Sequence, residues 1–141
     1  MILAHKLKYK YHRMKTTKAY KIILADDHIL LRDALAKLID GFNEFTVIAK
    51  AADGSEVIKA IEDGKQADIV LMDLNMPKMD GYETAKLVAK LSPQIKIVIL
   101  TMYDSEIALI RLLQAGVHGF LKKDNCPTGL QNSIITVATG E

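Results

Sequence analysis

Asp73 is a carboxylate that stands where an apolar segment of the chain ends. The four residues before it, Ile-Val-Leu-Met, are typical of a buried strand, and Asn75 and Pro77 then signal a turn. In open parallel sheets, ligands gather outside the carboxyl ends of the strands. A solvated aspartate that merely closes a strand would be the plainer interpretation of this residue alone. The ends of the other predicted strands decide between the two.

Four more residues with reactive or charged side chains stand at such ends. Asp26 and Asp27 follow the first apolar run of the chain, Thr101 ends the fourth, and Lys123 ends the fifth. Carboxylates that meet in one crevice repel each other, at about 4 kcal/mol for a pair ~4 Å apart at an effective dielectric constant of ~20. A divalent cation relieves this repulsion. Because all the ligands are oxygens, a hard ion such as Mg²⁺ (or Mn²⁺) is favoured over zinc.

This set of residues suits a group that carries several anionic oxygens, most naturally a phosphoryl group. Lys123 supplies a positive charge and Thr101 a hydroxyl donor. Aspartate is the available nucleophile and forms acyl phosphates in other proteins. Phosphoryl transfer needs mainly positioning and charge neutralisation, which these residues can provide.

The elements that must position these residues alternate along the chain. The predicted strands are 22–25, 45–49, 69–73, 96–101 and 119–123, and a helix follows each of them. Leu31, Ala34, Leu35 and Leu38 have helical spacing and predict the buried face of the first helix. The segment 53–56 predicts an N-cap for the second, with an acid three residues after the cap. This order predicts one α/β domain, a parallel sheet with right-handed crossovers and helices on both faces.

Composition is consistent with one domain that does not enter the membrane. The 141 residues are 50% hydrophobic, no apolar run reaches the ~18–20 residues that cross a bilayer, and the single Cys126 excludes an internal disulfide. Residues 1–21 hold seven Lys/Arg and no acid, whereas the rest of the chain is mildly acidic. We therefore expect residues 1–20 to be a disordered or non-native basic leader, and residues 21–141 to be the folded domain.

The acidic pair Asp26-Asp27, the segment 73–81, Thr101 and Lys123 together resemble the receiver domain of two-component response regulators, over residues 21–141. The resemblance implies a flavodoxin-like (CheY-like) doubly wound sheet of five parallel strands in the order 2-1-3-4-5. It implies that Asp73 is the phospho-acceptor. It also implies that Asp26, Asp27, Asp73 and the main-chain carbonyl of Asn75 hold Mg²⁺.

The same resemblance assigns the remaining site residues. Thr101 would bond a phosphoryl oxygen after phosphorylation, and Lys123 would pair with another. Strand alternation puts Lys122 and Lys123 on opposite faces, and the family spacing from the aromatic Phe120 favours Lys123. Phe120 would take the position of the switch aromatic, without the hydroxyl of a tyrosine. Ordinary core packing is the alternative for Phe120.

Further segments resemble regulators of the NarL/FixJ type, in which a LuxR-type helix-turn-helix domain follows the receiver. They are Asp26-Asp-His28, 101–104, 116–124 and 138–141. The implied protein is a cytoplasmic transcription regulator and not an enzyme beyond self-phosphotransfer and autodephosphorylation. Its implied partner is a sensor histidine kinase, and it would contact DNA only through a C-terminal domain that we expect to be missing here. The apolar run 107–110 is consistent with a homodimer surface or with core packing.

Three alternatives from other classes remain. A stand-alone or pseudo-receiver would bind partners without phosphorylation. A Mg²⁺-dependent phosphohydrolase with an aspartate nucleophile would want an acid at position 75, where this chain has Asn75. A flavodoxin-like binding module would want a Gly/Ser/Thr-rich phosphate loop after the first strand, where this chain has Asp-Asp-His.

Overall fold

The computed structural model describes residues 19–101, 106–122 and 127–140, in which five strands alternate with five helices. The strands are β1 (Tyr20–Ala25), β2 (Phe45–Ala51), β3 (Ile69–Asp73), β4 (Lys96–Thr101) and β5 (Gly119–Lys122). The helices are α1 (Ile29–Asp40), α2 (Gly54–Glu62), α3 (Gly81–Leu91), α4 (Glu106–Gln114) and α5 (Pro127–Thr139).

All five strands are parallel and lie in the order β2-β1-β3-β4-β5. This is the order that the resemblance implied, and the flavodoxin-like fold is confirmed. β3 lies at the centre, and every one of its residues is buried. Covering helices on both faces explain why its sequence is a continuous apolar run rather than an alternating one.

Alternate residues along each strand enter two separate cores. Val70 and Met72 belong to the core between the sheet and helices α2, α3 and α4. Ile69 and Leu71 belong to the core beneath α1 and α5. The strands therefore run through the middle of the domain, and their carboxyl ends meet at one edge.

Two residues of the predicted buried face of α1, Leu35 and Leu38, pack against the core, and the other two do not. Ala36 and Ile39 are the buried residues of this helix, whereas Leu31 is 38% exposed and Ala34 is also exposed. Eight of its twelve residues are apolar, so the helical spacing fits two neighbouring faces equally well. Contact with the sheet selects one of them, a choice that depends on tertiary packing.

The predicted cap of α2 is confirmed. The Asp53 side chain accepts a hydrogen bond from the Glu56 backbone N–H at 3.0 Å, and the Glu56 carboxylate accepts one from the Ala52 N–H at 2.8 Å. Gly64, two residues after the end of this helix, has a φ of 98°, a conformation that glycine adopts without strain. The start of α2 is therefore tied to the end of β2 by reciprocal bonds.

His118, between α4 and β5, gives the fold a pH dependence. Its Nδ1 accepts a hydrogen bond from the Ile97 backbone N–H at 3.0 Å, so the neutral ring is the one that fits. Partial burial, with help from the Lys96 charge, lowers the pKa of His118 below its usual 6.5. Because the folded protein binds the proton less readily than the unfolded chain, this contribution is complete above pH 6.5 and is lost as the pH falls towards the lower, folded-state pKa.

We therefore expect the free energy of unfolding to fall by more between pH 7.5 and pH 5.5 in the wild type than in a His118→Gln variant. Urea denaturation at both pH values measures it. The loss should be small, because the His118 side chain is only partly buried and much of it remains open to solvent. An equal loss of unfolding free energy between the two pH values in both proteins would show that His118 makes no such contribution.

The longest helix in the described part of the chain has 13 residues, and none there has the length and apolar character needed to cross a bilayer.

Candidate functional site

Three polar residues stand at the carboxyl ends of three neighbouring strands. Asp26 follows β1, Asp73 ends β3 and Thr101 ends β4. The strand register pairs Ala25 with Met72, and Asp73 with Leu100, so the three polar residues follow one another across the sheet edge. All three are buried, with exposed fractions of 0%, 5% and 3%. The structure thus brings together three of the residues that the sequence predicts for the site.

Asp26 and Asp27 form an acidic turn that leads into α1. The Asp26 carboxylate accepts a hydrogen bond from the His28 N–H at 2.9 Å, and an Arg32 guanidinium N–H donates to the Asp26 main-chain carbonyl at 3.2 Å. The Asp27 side chain is 39% exposed and so is open to an incoming ion. These two hydrogen bonds hold Asp26 in place at the sheet edge.

His28 lies beside this acidic pair. Its Nδ1 is 3.6 Å from an Asp26 oxygen and 3.8 Å from an Asp27 oxygen, and one ligand atom from each of the three residues lies within 4.8 Å of the others. The side chain is 73% exposed and makes no capping hydrogen bond. His28 is thus a solvated neighbour of the acidic pair.

The donor chemistry at this edge fits a hard divalent cation. Asp26, Asp27 and Asp73 offer carboxylate oxygens, the ligands that Mg²⁺ prefers. Asn75 is exposed in the loop after β3, and nothing in the described part of the chain donates a hydrogen bond to its main-chain carbonyl. A main-chain carbonyl is the kind of oxygen that a hard divalent cation takes as a ligand.

The loop after β3 has a tightly folded backbone. The Met79 N–H donates to the Pro77 carbonyl at 2.6 Å, which closes a three-residue turn around Lys78, whose φ is 64°. The Gly81 N–H donates to the Leu74 carbonyl at 2.8 Å and closes the base of the loop. A non-glycine residue with positive φ is strained and persists only where its surroundings fix the backbone.

The backbone packs so closely around Gly81 that a side chain at this position would clash. A Cβ there would lie 2.9 Å from the Asp73 carbonyl oxygen and 3.0 Å from the Leu74 Cα. We expect Gly81→Ala to lower the free energy of unfolding by about 1–3 kcal/mol, as overpacking does. Urea denaturation measures it. Gly41→Ala is the control, since Gly41 has an ordinary helical φ of −73°; an equal effect of both substitutions would contradict the steric argument.

Phe120 and Thr101 are both placed by the pairing of β4 with β5. Phe120 pairs with Ile99, two residues before Thr101. It is half-buried and packs against the core beneath α2, α3 and α4. Residues two apart on a strand lie on the same face, so Thr101 and Phe120 share one side of the sheet. Lys123, the predicted cationic partner of the phosphoryl group, lies outside the described residues.

Asp53, which the sequence predicts only as the cap of α2, also faces the loop after β3. Asp53 is 3% exposed, and its Oδ2 lies 4.0 Å from the Nζ of Lys78. A hydrogen bond from the Ser55 hydroxyl, with the Glu56 N–H and the Lys78 charge, holds the pKa of Asp53 below its usual value. Its capping pattern was visible in the sequence, but nothing there placed the cap against the loop after β3.

The chain matches the family model of the response regulator receiver domain over residues 22–135. The transcriptional regulatory protein YxjL of Bacillus subtilis is 37% identical over 121 residues, which are 86% of this chain and 55% of that protein. The oxygen regulatory protein NreC of Staphylococcus aureus is 37% identical over 122 residues, or 86% of this chain and 56% of that protein. The chain thus spans about half the length of these relatives.

Solved structures agree with this match. The signal receiver domain of the putative response regulator NarL from Mycobacterium tuberculosis has a TM-score of 0.83 and 26% identity, and the alignment covers 89% of this chain and all of that one. A LuxR-family response regulator from Aurantimonas has a TM-score of 0.82 and 28% identity, with 88% of each chain covered. By these matches and by its fold, the chain belongs to the receiver domains of two-component response regulators, and its relatives are transcriptional regulators of the NarL and LuxR kind.

Proposed function

We propose that this domain accepts a phosphoryl group on Asp73 from a sensor histidine kinase, in a reaction that depends on Mg²⁺. The observation that carries the proposal is the position of Asp73, a buried carboxylate at the central strand end between Asp26 and Thr101. A nucleophile, an acidic pair and a hydroxyl donor are thus gathered at one edge of a rigid sheet.

In the proposed transfer, an Asp73 oxygen attacks the phosphorus of a phosphohistidine. The phosphorus–nitrogen bond breaks, a phosphorus–oxygen bond to Asp73 forms, and the imidazole leaves with a proton from solvent. Mg²⁺, when bound, would be held by Asp26, Asp27, Asp73 and the Asn75 carbonyl and would neutralise charge on the phosphoryl oxygens. Thr101 and Lys123 would contact those oxygens, Thr101 as a hydrogen-bond donor and Lys123 as a cation.

Phosphorylation would then act as a switch. A new anionic group at Asp73 draws the Thr101 hydroxyl towards it, and Phe120, on the same face of the sheet, repacks into the space that Thr101 leaves. The result is a shift in a pre-existing equilibrium of the face formed by α4 and β5. Because Phe120 has no hydroxyl, its two positions would differ in packing alone.

What the switch controls would lie in another domain of the whole protein. The relatives are named as transcriptional regulators, and this chain spans about half of their length. We infer a cytoplasmic regulator in which the receiver controls a C-terminal helix-turn-helix domain that binds DNA. A phosphorylation-dependent homodimer through α4, where Ile107 and Ile110 are exposed, fits the same role.

Intact mass spectrometry after incubation with acetyl phosphate tests the proposal. We expect a gain of one phosphoryl group that requires Mg²⁺, disappears with EDTA and is removed by hydroxylamine, as an acyl phosphate is. No gain of mass would contradict phosphorylation unless the product hydrolyses too fast to be trapped. Beryllofluoride, a stable mimic of the phosphoryl group, separates these cases, since a pseudo-receiver would bind neither reagent.

A further inference from the structure

The turn between β2 and α2 packs directly against the loop after β3. The Gly54 N–H donates a hydrogen bond to the Met79 carbonyl at 3.1 Å, so the first residue of α2 is bonded to that loop. We name the pairing of residues 52–55 with residues 76–80 the loop clamp. Residues 52–55 join β2 to α2, whereas residues 76–80 lie within the segment 73–81 that begins with Asp73.

Gly54 fits in the loop clamp only because it lacks a side chain. A Cβ at this position would overlap the Thr84 Oγ1 and would lie 2.7 Å from the Met79 carbonyl oxygen. Thr84 cannot move aside easily, because it is fully buried and its hydroxyl donates to the Asp80 carbonyl at 2.6 Å. The contact is therefore backbone against backbone, and a side chain there must displace the loop.

Asp53 adds a charged contact to the loop clamp. Its Oδ1 accepts from the Ser55 hydroxyl at 2.5 Å and from the Glu56 N–H at 3.0 Å, and its Oδ2 faces the Lys78 ammonium at 4.0 Å. Lys78 is the residue with positive φ at the tip of the loop. The buried carboxylate thus faces a cation three positions from Asn75, and the pair is weak because the Lys78 side chain is 75% exposed.

We propose that Asp53 and Gly54 are positioning residues for the phospho-acceptor site, because the loop clamp fixes the loop that carries the Asn75 carbonyl. The inference rests on the proposed function, in which that carbonyl is a metal ligand. Neither residue touches the metal or the phosphoryl group. Both set the affinity for the divalent cation, and with it the rate of phosphorylation, from a separate element of the fold.

Binding of Mn²⁺, followed by electron paramagnetic resonance, tests this inference on folded protein. We expect Gly54→Ala to raise the Kd by about tenfold, the lower end of the effect seen when residues around metal ligands are changed. Hydrogen exchange of the amides of residues 76–80 should quicken in the same variant without metal. Gly41→Ala controls for the type of substitution. Ile134→Val, in the opposite core, controls for lost stability, which by itself does not alter the Kd of folded protein.

If Gly54→Ala does not fold, variants of Asp53 test whether the loop clamp positions the metal site. Asp53→Ala removes the cap and the charge and should raise the Kd several-fold, whereas Asp53→Asn keeps a capping oxygen and should raise it less. A wild-type Kd in Gly54→Ala, or in Asp53→Ala, would overturn the positioning role while leaving the proposed function intact. Failure of the wild type to bind Mn²⁺ would overturn the proposed metal site and this inference together.

Discussion

We expect Asp73→Asn to abolish labelling by acetyl phosphate in the presence of Mg²⁺. The amide has nearly the shape of the carboxylate but carries no charge and is not a nucleophile, so no acyl phosphate forms. Asp73 is 5% exposed at the end of the central strand, and asparagine has nearly the same volume, so the substitution leaves no cavity there. Intact mass spectrometry of the two proteins, treated side by side, measures the effect.

The matched control for this variant is Asp63→Asn. Asp63 is an exposed acid that follows α2 and pairs with Lys59 at 3.3 Å, and it should leave labelling unchanged. Circular dichroism of Asp73→Asn should show the wild-type fold. Undiminished labelling of Asp73→Asn would remove Asp73 from the role of phospho-acceptor.

We expect Asp27→Ala to weaken the binding of Mg²⁺ by at least about tenfold. Changes to residues around metal ligands already cost roughly 10–100-fold in affinity, so loss of a direct carboxylate ligand should cost no less. The Asp27 side chain is 39% exposed, so its truncation leaves no buried cavity and does not disturb the core. Competition of Mg²⁺ against bound Mn²⁺, followed by electron paramagnetic resonance, gives both affinities.

Asp63→Ala serves as the control for Asp27→Ala, because it removes one negative charge far from the acidic pair. If a general loss of charge were responsible, both variants would weaken binding equally. We expect only Asp27→Ala to do so and to need more Mg²⁺ for labelling by acetyl phosphate. Unchanged Mg²⁺ affinity in Asp27→Ala would refute the metal assignment.

The sheet and the gathering of Asp26, Asp73 and Thr101 were predictable because they depend on local patterns. Each strand is a short apolar run, and in a parallel sheet every strand ends at the same edge. The resemblance then supplied the strand order. The start of α2 was predictable in the same way, because the Asp53 cap depends only on neighbouring residues.

The face of α1 and the loop clamp were not predictable in the same way. α1 is apolar at eight of twelve positions, and only its packing on the sheet selects Ile39 over Leu31 for burial. The contact of Gly54 with Met79 joins residues 25 positions apart that belong to different elements. No periodicity marks such a contact, because close backbone approach leaves no pattern of side chains.

The most direct test of the central claim is to locate the phosphoryl group itself. Borohydride reduces an acyl phosphate to an alcohol and so converts a phosphorylated aspartate into homoserine. Wild-type protein is treated with acetyl phosphate and Mg²⁺, reduced, digested and analysed by peptide mass spectrometry. We predict homoserine at position 73 and unmodified aspartate at positions 26 and 27. Homoserine at another aspartate, with position 73 unmodified, would contradict the account.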